Sequence, residues 1–438
     1  MIKFLRRTFR RKKRPVFSKN SLSNTGHHIP APANVKKHFK AVVVLLDGAD
    51  VSIDIPKASN GDYLFNKIID YHREIPLSEA GYFGLQYIDQ FSVPHWLDHN
   101  KQVKKQLKIG PPFTLHFRLK FYPSEPNLLK DDYTRYQVFL QVKQDLLLRD
   151  RLADAPYNTA IELAALSLQS ELGNYDSNIH TPYYISEFRF IHESKQTETF
   201  ELDTLDLYQT HSGKTPAKAE LEFLNKAKWL EMYGVDTHEV IAKDGQKYDL
   251  GLTPTGVLLY ERLTAGGRKK IGLFFWNKIK KLNFESKVLK LCVAEELADG
   301  NERVHTFNFQ TVSQKACKHL WKCAVEHHQF FRLKSQTDGN VKSGRFGIRT
   351  SSRFGFKGPT EAQLTVSNNA FKRSSTGTFA RRPSKRYSRR ASFSSFKNTR
   401  AEKTDKLSKI QQANQSLGMV SNSHTNLLVR DRSFNNFM

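Results

Sequence analysis

The chain has 438 residues, 39 % of them hydrophobic, and a formal net charge of +26. That length permits about two to four domains, and the longest apolar runs, such as 41–46 and 271–276, fall far below the ~20 residues of a membrane-spanning helix. Three cysteines exclude a disulfide framework and, with no secretory signal, point to a reducing, cytosolic setting.

The charge sits at the two ends. Residues 1–40 carry 12 Lys/Arg and no acid, and residues 334–400 carry 16 against Asp338 and Glu361, whereas 41–333 is nearly neutral. A nucleic-acid-binding fold usually keeps its basic excess on the folded domain. This pattern predicts a globular block between two basic arms; a nuclear or nucleic-acid-binding protein using those arms is the alternative. In the first arm, MIKFLRRTFRRKKRP places Ile2, Leu5 and Phe9 at helical spacing among positive charges. That suits an amphipathic segment on an anionic membrane, or a disordered arm. A transit peptide and a nuclear-import cluster at Arg11–Arg14 share the composition.

From Phe39 the pattern becomes globular. Ala41–Leu46 reads as a strand, Asp47-Gly48 as a turn, and Val51, Ile53 and Ile55 as a second strand. Leu64, Phe65, Ile68 and Ile69 mark one face of a helix, and strand-like pieces follow at Tyr82–Ile88 and Phe113–Phe121. Residues 124–232 read as helical: Tyr133, Tyr136, Phe139, Leu140 and Leu147 in one helix; Ile161, Ala164, Ala165 and Leu168, stopped by Gly173, in the next. A third opens with Thr215 as N-cap and Pro216 at its first position, carries Leu221, Leu224 and Leu230, and stops at Gly234. Strands then return at 248–252, 289–293 and 307–309, about seven in all. A helix from Ser313 to Leu333 closes the block, with Ala316, Leu320, Ala324, His327 and Phe331 as its buried stripe. The class is α+β in several lobes.

The stretches AKWLEMYGVD at 227–236, LGLTPTGVLLY at 250–260, IGLFFW at 271–276 and KACKHLWKCAVEHHQFFRL at 315–333 resemble the FERM domains of the protein 4.1 superfamily. SRFGFKG at 352–358 and FARRPSKRYSRR at 379–390 are similar to the FERM-adjacent segment of part of that superfamily, most like the band 4.1-like 5 / Yurt branch. The resemblance implies a FERM cloverleaf: a basic arm over 1–38, a ubiquitin-like lobe over 39–123, a helical lobe like acyl-CoA-binding protein over 124–232 and a pleckstrin-homology/PTB-like lobe over 233–334. A basic FERM-adjacent segment over 335–400 and a disordered tail over 401–438 follow. It further implies a membrane–cytoskeleton adaptor at the inner face of the plasma membrane, the cell cortex and junctions. Such an adaptor binds cytoplasmic tails of transmembrane proteins, a Crumbs-type polarity protein among them, and links to actin indirectly.

Three candidate sites follow, none catalytic. Lys101, Lys104, Lys105 and Lys108 in the first lobe, with Arg268, Lys269, Lys270, Lys278 and Lys280 in the third, offer point charges for a phosphoinositide headgroup, or form an ordinary solvated face. Ile279, Leu282 and Phe284, on the third lobe's fifth strand, would line a peptide groove in which alternate residues face the core. Ser384 and Ser392, behind Arg381-Arg382 and Arg389-Arg390, suit a basophilic kinase, and Ser388 behind Lys385-Arg386 does so less well; a basic linker with incidental serines is the bland reading.

Enzyme and metal signatures fail on their spacing. Ser212-Gly213-Lys214-Thr215 has the end of a phosphate loop, but Tyr208 stands where the upstream glycine is needed. His319, Cys323 and His327 recur every four residues, which puts the outer two about 12 Å apart along a helix, too far for one zinc. No recognisable spacing supplies other ligands, so neither metal nor cofactor is expected.

Overall fold

The computed structural model describes residues 27–333, except 35–36, 73–78, 149–151, 153, 264–266 and 297–300, together with 358–370 and 379–388. In the first lobe the alternation of Val51, Ile53 and Ile55 builds β3 (Asp50–Pro56), which pairs antiparallel with β2 (His38–Val44) across the turn at Gly48, where φ is 80°. Helix α1 (Gly61–Tyr71) starts at Asn60, whose side chain accepts from the Tyr63 N–H, and it buries Leu64, Phe65, Ile68 and Ile69. The lobe is completed by β4 (Phe83–Ile88), β5 (Pro94–Trp96), α2 (Val103–Gln106) and β6 (Phe113–Leu119). One strand comes from the region expected to be an arm: β1 (His27–Ile29) adds in parallel to β3, giving the order β1-β3-β2-β6-β4-β5. Its sequence, His-His-Ile, is too short and too polar to announce a strand.

The second lobe is helical: α3 (Asp132–Leu147), α4 (Tyr157–Leu172), α5 (Pro182–Ile185), α6 (Glu198–Gln209) and α7 (Pro216–Ala227). Thr215 caps α7 by accepting from the Lys218 N–H, with Pro216 in the first turn. Tyr208 is fully buried and donates to the Gly173 carbonyl at 2.6 Å. The phosphate-loop-like stretch is therefore a helix start.

In the third lobe, β7 (Asp236–Ile241), β8 (Lys247–Leu252), β9 (Gly256–Arg262), β10 (Arg268–Phe275), β11 (Ile279–Glu285), β12 (Val288–Glu296) and β13 (Glu302–Gln310) form one sheet in the order β10-β9-β8-β7-β13-β12-β11. Helix α8 (Gln314–Arg332) closes it, capped by Ser313, and a short α9 (Glu361–Ala370) lies beyond. Two glycines explain family-like motifs. Gly234 has φ of 66°, and a Cβ there would stand 2.7 Å from Tyr122 Cβ; a Cβ on Gly256 would meet the Phe274 carbonyl oxygen at 2.2 Å.

Helix α8 belongs to the third lobe by sequence, yet its end lies in the first lobe's core. Phe330, fully buried, stacks on Phe121 at 4.2 Å and meets Tyr82 edge-on at 5.4 Å. Beside them Lys120 Nζ pairs with Glu326 at 3.0 Å, and Lys322 Nζ with Asp98 at 3.0 Å. One helix thus joins two lobes by an apolar plug ringed by ion pairs.

His328 lies beside Trp276 at 5.6 Å, and burial, aided by Arg332, pushes its pKa from 6.5 down to about 4. Between those values the unfolded chain binds the proton and the folded one does not. The stabilisation is complete above pH 6.5 and lost as the pH falls towards 4. His328→Gln should flatten that part of the stability profile, measured as thermal midpoint across the window.

Candidate functional site

Strand β11 ends the sheet, hydrogen-bonded on one side to β12, with α8 packed alongside. The three residues expected to line a groove here do different things. Ile279 and Leu282 are buried in the lobe's core, so neither side chain faces a ligand. That part of the expectation is corrected by the strand's geometry: the two lie three residues apart, and the β-bulge between Ile279 and Lys281 resets the pleat so that both turn inward. Phe284 is half-buried against Trp321, ring centroids 5.3 Å apart, and Trp321 Nε1 donates to the Leu282 carbonyl at 3.1 Å. A peptide added here would meet backbone and this aromatic pair.

The basic residues are also not equivalent. Arg268 Nε is committed to buried Asp249 at 2.7 Å, with Arg262 on the other carboxylate oxygen. It is a sheet brace, whereas Lys269 and Lys270, on the same strand, are exposed. Lys280 pairs with Glu302 and Lys101 with Asp98, each partly satisfied at home. Lys104 lies 4.1 Å over the Phe113 ring, and Lys105, Lys108, Lys278 and Lys281 are exposed. The first-lobe lysines stand just before, on and after α2, those of the third lobe on β10, β11 and the turn between.

The basic segment after α9 is seated on the second lobe. Phe379 meets Tyr133 at 5.0 Å and Tyr136 at 5.3 Å. Arg381 grips fully buried Glu220 with two hydrogen bonds, Nε to Oε1 at 2.6 Å and Nη2 to Oε2 at 3.1 Å. Arg382 faces Asp47 of the first lobe at 3.4 Å. Ser384 donates from its backbone N and its Oγ to the two oxygens of Glu171, at 2.7 and 2.6 Å, while Lys143 Nζ donates to Ser384 Oγ at 2.7 Å. Burial disfavours the Glu171 carboxylate, but Lys143 and these hydrogen bonds outweigh it and hold its pKa below the ordinary value. Arg386 lies 3.6 Å over the Phe188 ring and donates to Tyr184 Oη at 3.2 Å. Ser388 is exposed at the end of this segment; Ser392, Arg389 and Arg390 lie outside the described residues.

The spacing of His319, Cys323 and His327 does not converge on a point. His327 Nδ1 is instead within 2.9 Å of the Cys323 carbonyl oxygen, its own helix turn. The fold supplies what spacing could not: Asp236 and His238 of β7 stand beside Cys323, with ligand atoms of all three within 4.8 Å of one another.

Comparison with known proteins agrees with this architecture. Models of the FERM N-terminal domain, FERM central domain and FERM C-terminal PH-like domain match residues 43–109, 124–238 and 242–339, more than half of the chain. Human band 4.1-like protein 4A is 40 % identical over 342 residues, which are 76 % of this chain and 47 % of the relative. Human tyrosine-protein phosphatase non-receptor type 4 is 38 % identical over 361 residues, 82 % of this chain and 37 % of that protein. The chain thus spans about half or less of the length of these relatives. Among solved structures, the FERM and C-terminal domain complex of Drosophila Merlin superposes with a TM-score of 0.58 at 24 % identity, over 67 % of this chain and 96 % of that one, a likeness of fold. With three lobes in the order and places of the three matched domains, the chain belongs to the FERM-domain proteins of the band 4.1 superfamily.

Proposed function

We propose that the chain is a non-catalytic membrane–cytoskeleton adaptor. Its third lobe takes the cytoplasmic tail of a transmembrane protein as an added strand on β11, and its exposed lysines take anionic phospholipid. The observation that carries this reading is the terminal position of β11 beside Phe284 and Trp321. An open strand edge offers main-chain hydrogen bonds, and a flanking aromatic pair gives side-chain selectivity. The similarity of residues 352–358 and 379–390 to the band 4.1-like 5 / Yurt branch supports a Crumbs-type polarity tail as the ligand. The same reading places the chain in the cytoplasm, at the inner face of the plasma membrane, the cortex and junctions, with an indirect link to actin. A basophilic kinase acting on Ser384, Ser388 and Ser392 regulates its attachment.

The test titrates a labelled Crumbs-type tail peptide and, separately, phosphoinositide liposomes against the full chain. Phe284→Glu should weaken the peptide at least ~10-fold, since an aromatic anchor is worth about 2 kcal/mol or more. Unchanged peptide affinity would overturn the β11 reading. Replacing Lys104, Lys105, Lys269 and Lys270 by Glu should weaken liposome binding, at about 1 kcal/mol per residue near an anionic surface. Unchanged liposome binding would remove these lysines from the lipid contact.

A further inference from the structure

We propose that Asp236, His238 and Cys323 form a zinc site, its fourth position taken by water, that ties the first strand of the third lobe to its closing helix. Asp236 Oδ2 and His238 Nε2 are buried atoms 3.3 Å apart that face each other. Cys323 Sγ completes a trio of atoms within 4.8 Å of one another, while both ring nitrogens of His319, at 3.6 and 3.8 Å from that sulfur, pack on it without sharing its ligand position. A tetrahedral zinc bound at about 2.0–2.1 Å by nitrogen or oxygen and about 2.3 Å by sulfur has edges of roughly 3.3 Å between light atoms and roughly 3.5 Å to sulfur. The measured Asp236–His238 edge agrees with the first value.

The surroundings favour a cation. The imidazoles of His238, His327 and His319 surround the Asp236 carboxylate, and burial pushes the pKa of His319 and His327 down, which favours neutral rings. Neutral imidazole is itself a ligand, and a carboxylate beside it supplies the charge that zinc neutralises. Two ammonium groups act on this cluster, Lys120 and Lys322, and each is held by a carboxylate at 3.0 Å, Glu326 and Asp98. His319 is also braced from the first lobe: His95 meets it edge-on with centroids 4.5 Å apart, and Asp89 holds His95 at 2.9 Å. His319 in turn packs on the Cys323 sulfur, and such outer contacts hold ligands in place in metal sites. A donor set of one sulfur, one imidazole and one carboxylate suits zinc over magnesium or calcium, which prefer oxygen alone. On binding, the Cys323 thiol gives its proton to solvent and the thiolate takes the metal.

The test uses the full chain, stripped by chelator and titrated with cobalt(II), then zinc(II). One cobalt per chain should bind with a thiolate-to-cobalt charge-transfer band and tetrahedral visible bands, and zinc should displace it. Zinc should raise the thermal midpoint of the wild type. Cys323→Ser should abolish the charge-transfer band and weaken zinc by at least ~100-fold, since each ligand carries a share of the metal's folding free energy. Cys292→Ser, on half-buried β12, is the control that should change nothing. Absence of the band at saturating cobalt, or its persistence in Cys323→Ser, would overturn the site. If Cys323→Ser does not fold, His238→Gln carries the test: weaker, altered cobalt bands support the site and an unchanged spectrum overturns it.

Discussion

Phe330→Ala should destabilise the protein by about 3–5 kcal/mol, the usual range for emptying a buried aromatic site. A domain has only about 5–15 kcal/mol in total, so the loss is a large share. Phe330 is fully buried between Phe121 and Tyr82, and no small movement of α8 refills that space without moving Lys120 from Glu326 or Lys322 from Asp98. The first lobe should therefore separate from α8 before either lobe unfolds, giving two denaturant transitions where the wild type has one. Hydrogen exchange should rise first at the C-terminal turns of α8 and around Phe121. Phe331→Ala, at a half-buried neighbour, should cost less. An unchanged midpoint in Phe330→Ala would show that the seam carries no stability.

Arg381→Glu should release the basic segment from the second lobe. Glu220 is fully buried, and Arg381 with Ser170 Oγ at 2.7 Å satisfies its oxygens. Removing one partner of a buried pair costs about 3–5 kcal/mol because the other charge is left uncompensated; here a second carboxylate would replace the cation. Trypsin should cut at Lys385 and Arg386 much faster in the variant, while the helices of the lobe stay protected. Phosphorylation of Ser384 should do the same by another route. The Ser384 hydroxyl donates to Glu171 at 2.6 Å, and a phosphate of about −1.5 to −2 charge in its place both removes that donor and faces the carboxylate. Arg381 and Arg382, the residues a basophilic kinase would read, are engaged with Glu220 and Asp47. Modification therefore follows release and opposes return. Equal trypsin sensitivity of wild type, Arg381→Glu and Ser384-phosphorylated chain would refute the latch.

The lobes were legible in the residues because each depends on short-range pattern. The stripe Leu64, Phe65, Ile68 and Ile69, the Thr215-Pro216 cap and the Ser313 start of the closing helix are local signals, and all lie where the periodicity puts them. The buried face of that helix extends further than its stripe: Ala316, Leu320, Ala324 and His327 are buried, but it is Phe330, rather than Phe331, that enters the first lobe's core. The sites were legible only as compositions. Arg381 reads as one positive charge among sixteen, and Glu220 as an ordinary polar residue of α7; nothing near either one reveals the other. Asp236 and His238 likewise look like the polar start of a strand until the sheet carries them to Cys323. Pairings between distant segments are set by tertiary packing, which local periodicity does not encode.

The double anchorage of the basic segment has a consequence for competition. Thr360 and Leu364 are buried at α9, and eight residues, 371–378, join that helix to Phe379. So short a tether keeps Phe379 within roughly 30 Å of the helix end, whatever path it takes. The local supply of docking segment is then on the order of millimolar, however dilute the protein. A diffusing arginine-rich peptide at micromolar concentration would be outnumbered about a thousandfold at the same surface. Any molecule that wins this surface must arrive tethered, as a neighbour on the same membrane is, or arrive after the tethered occupant has been chemically changed.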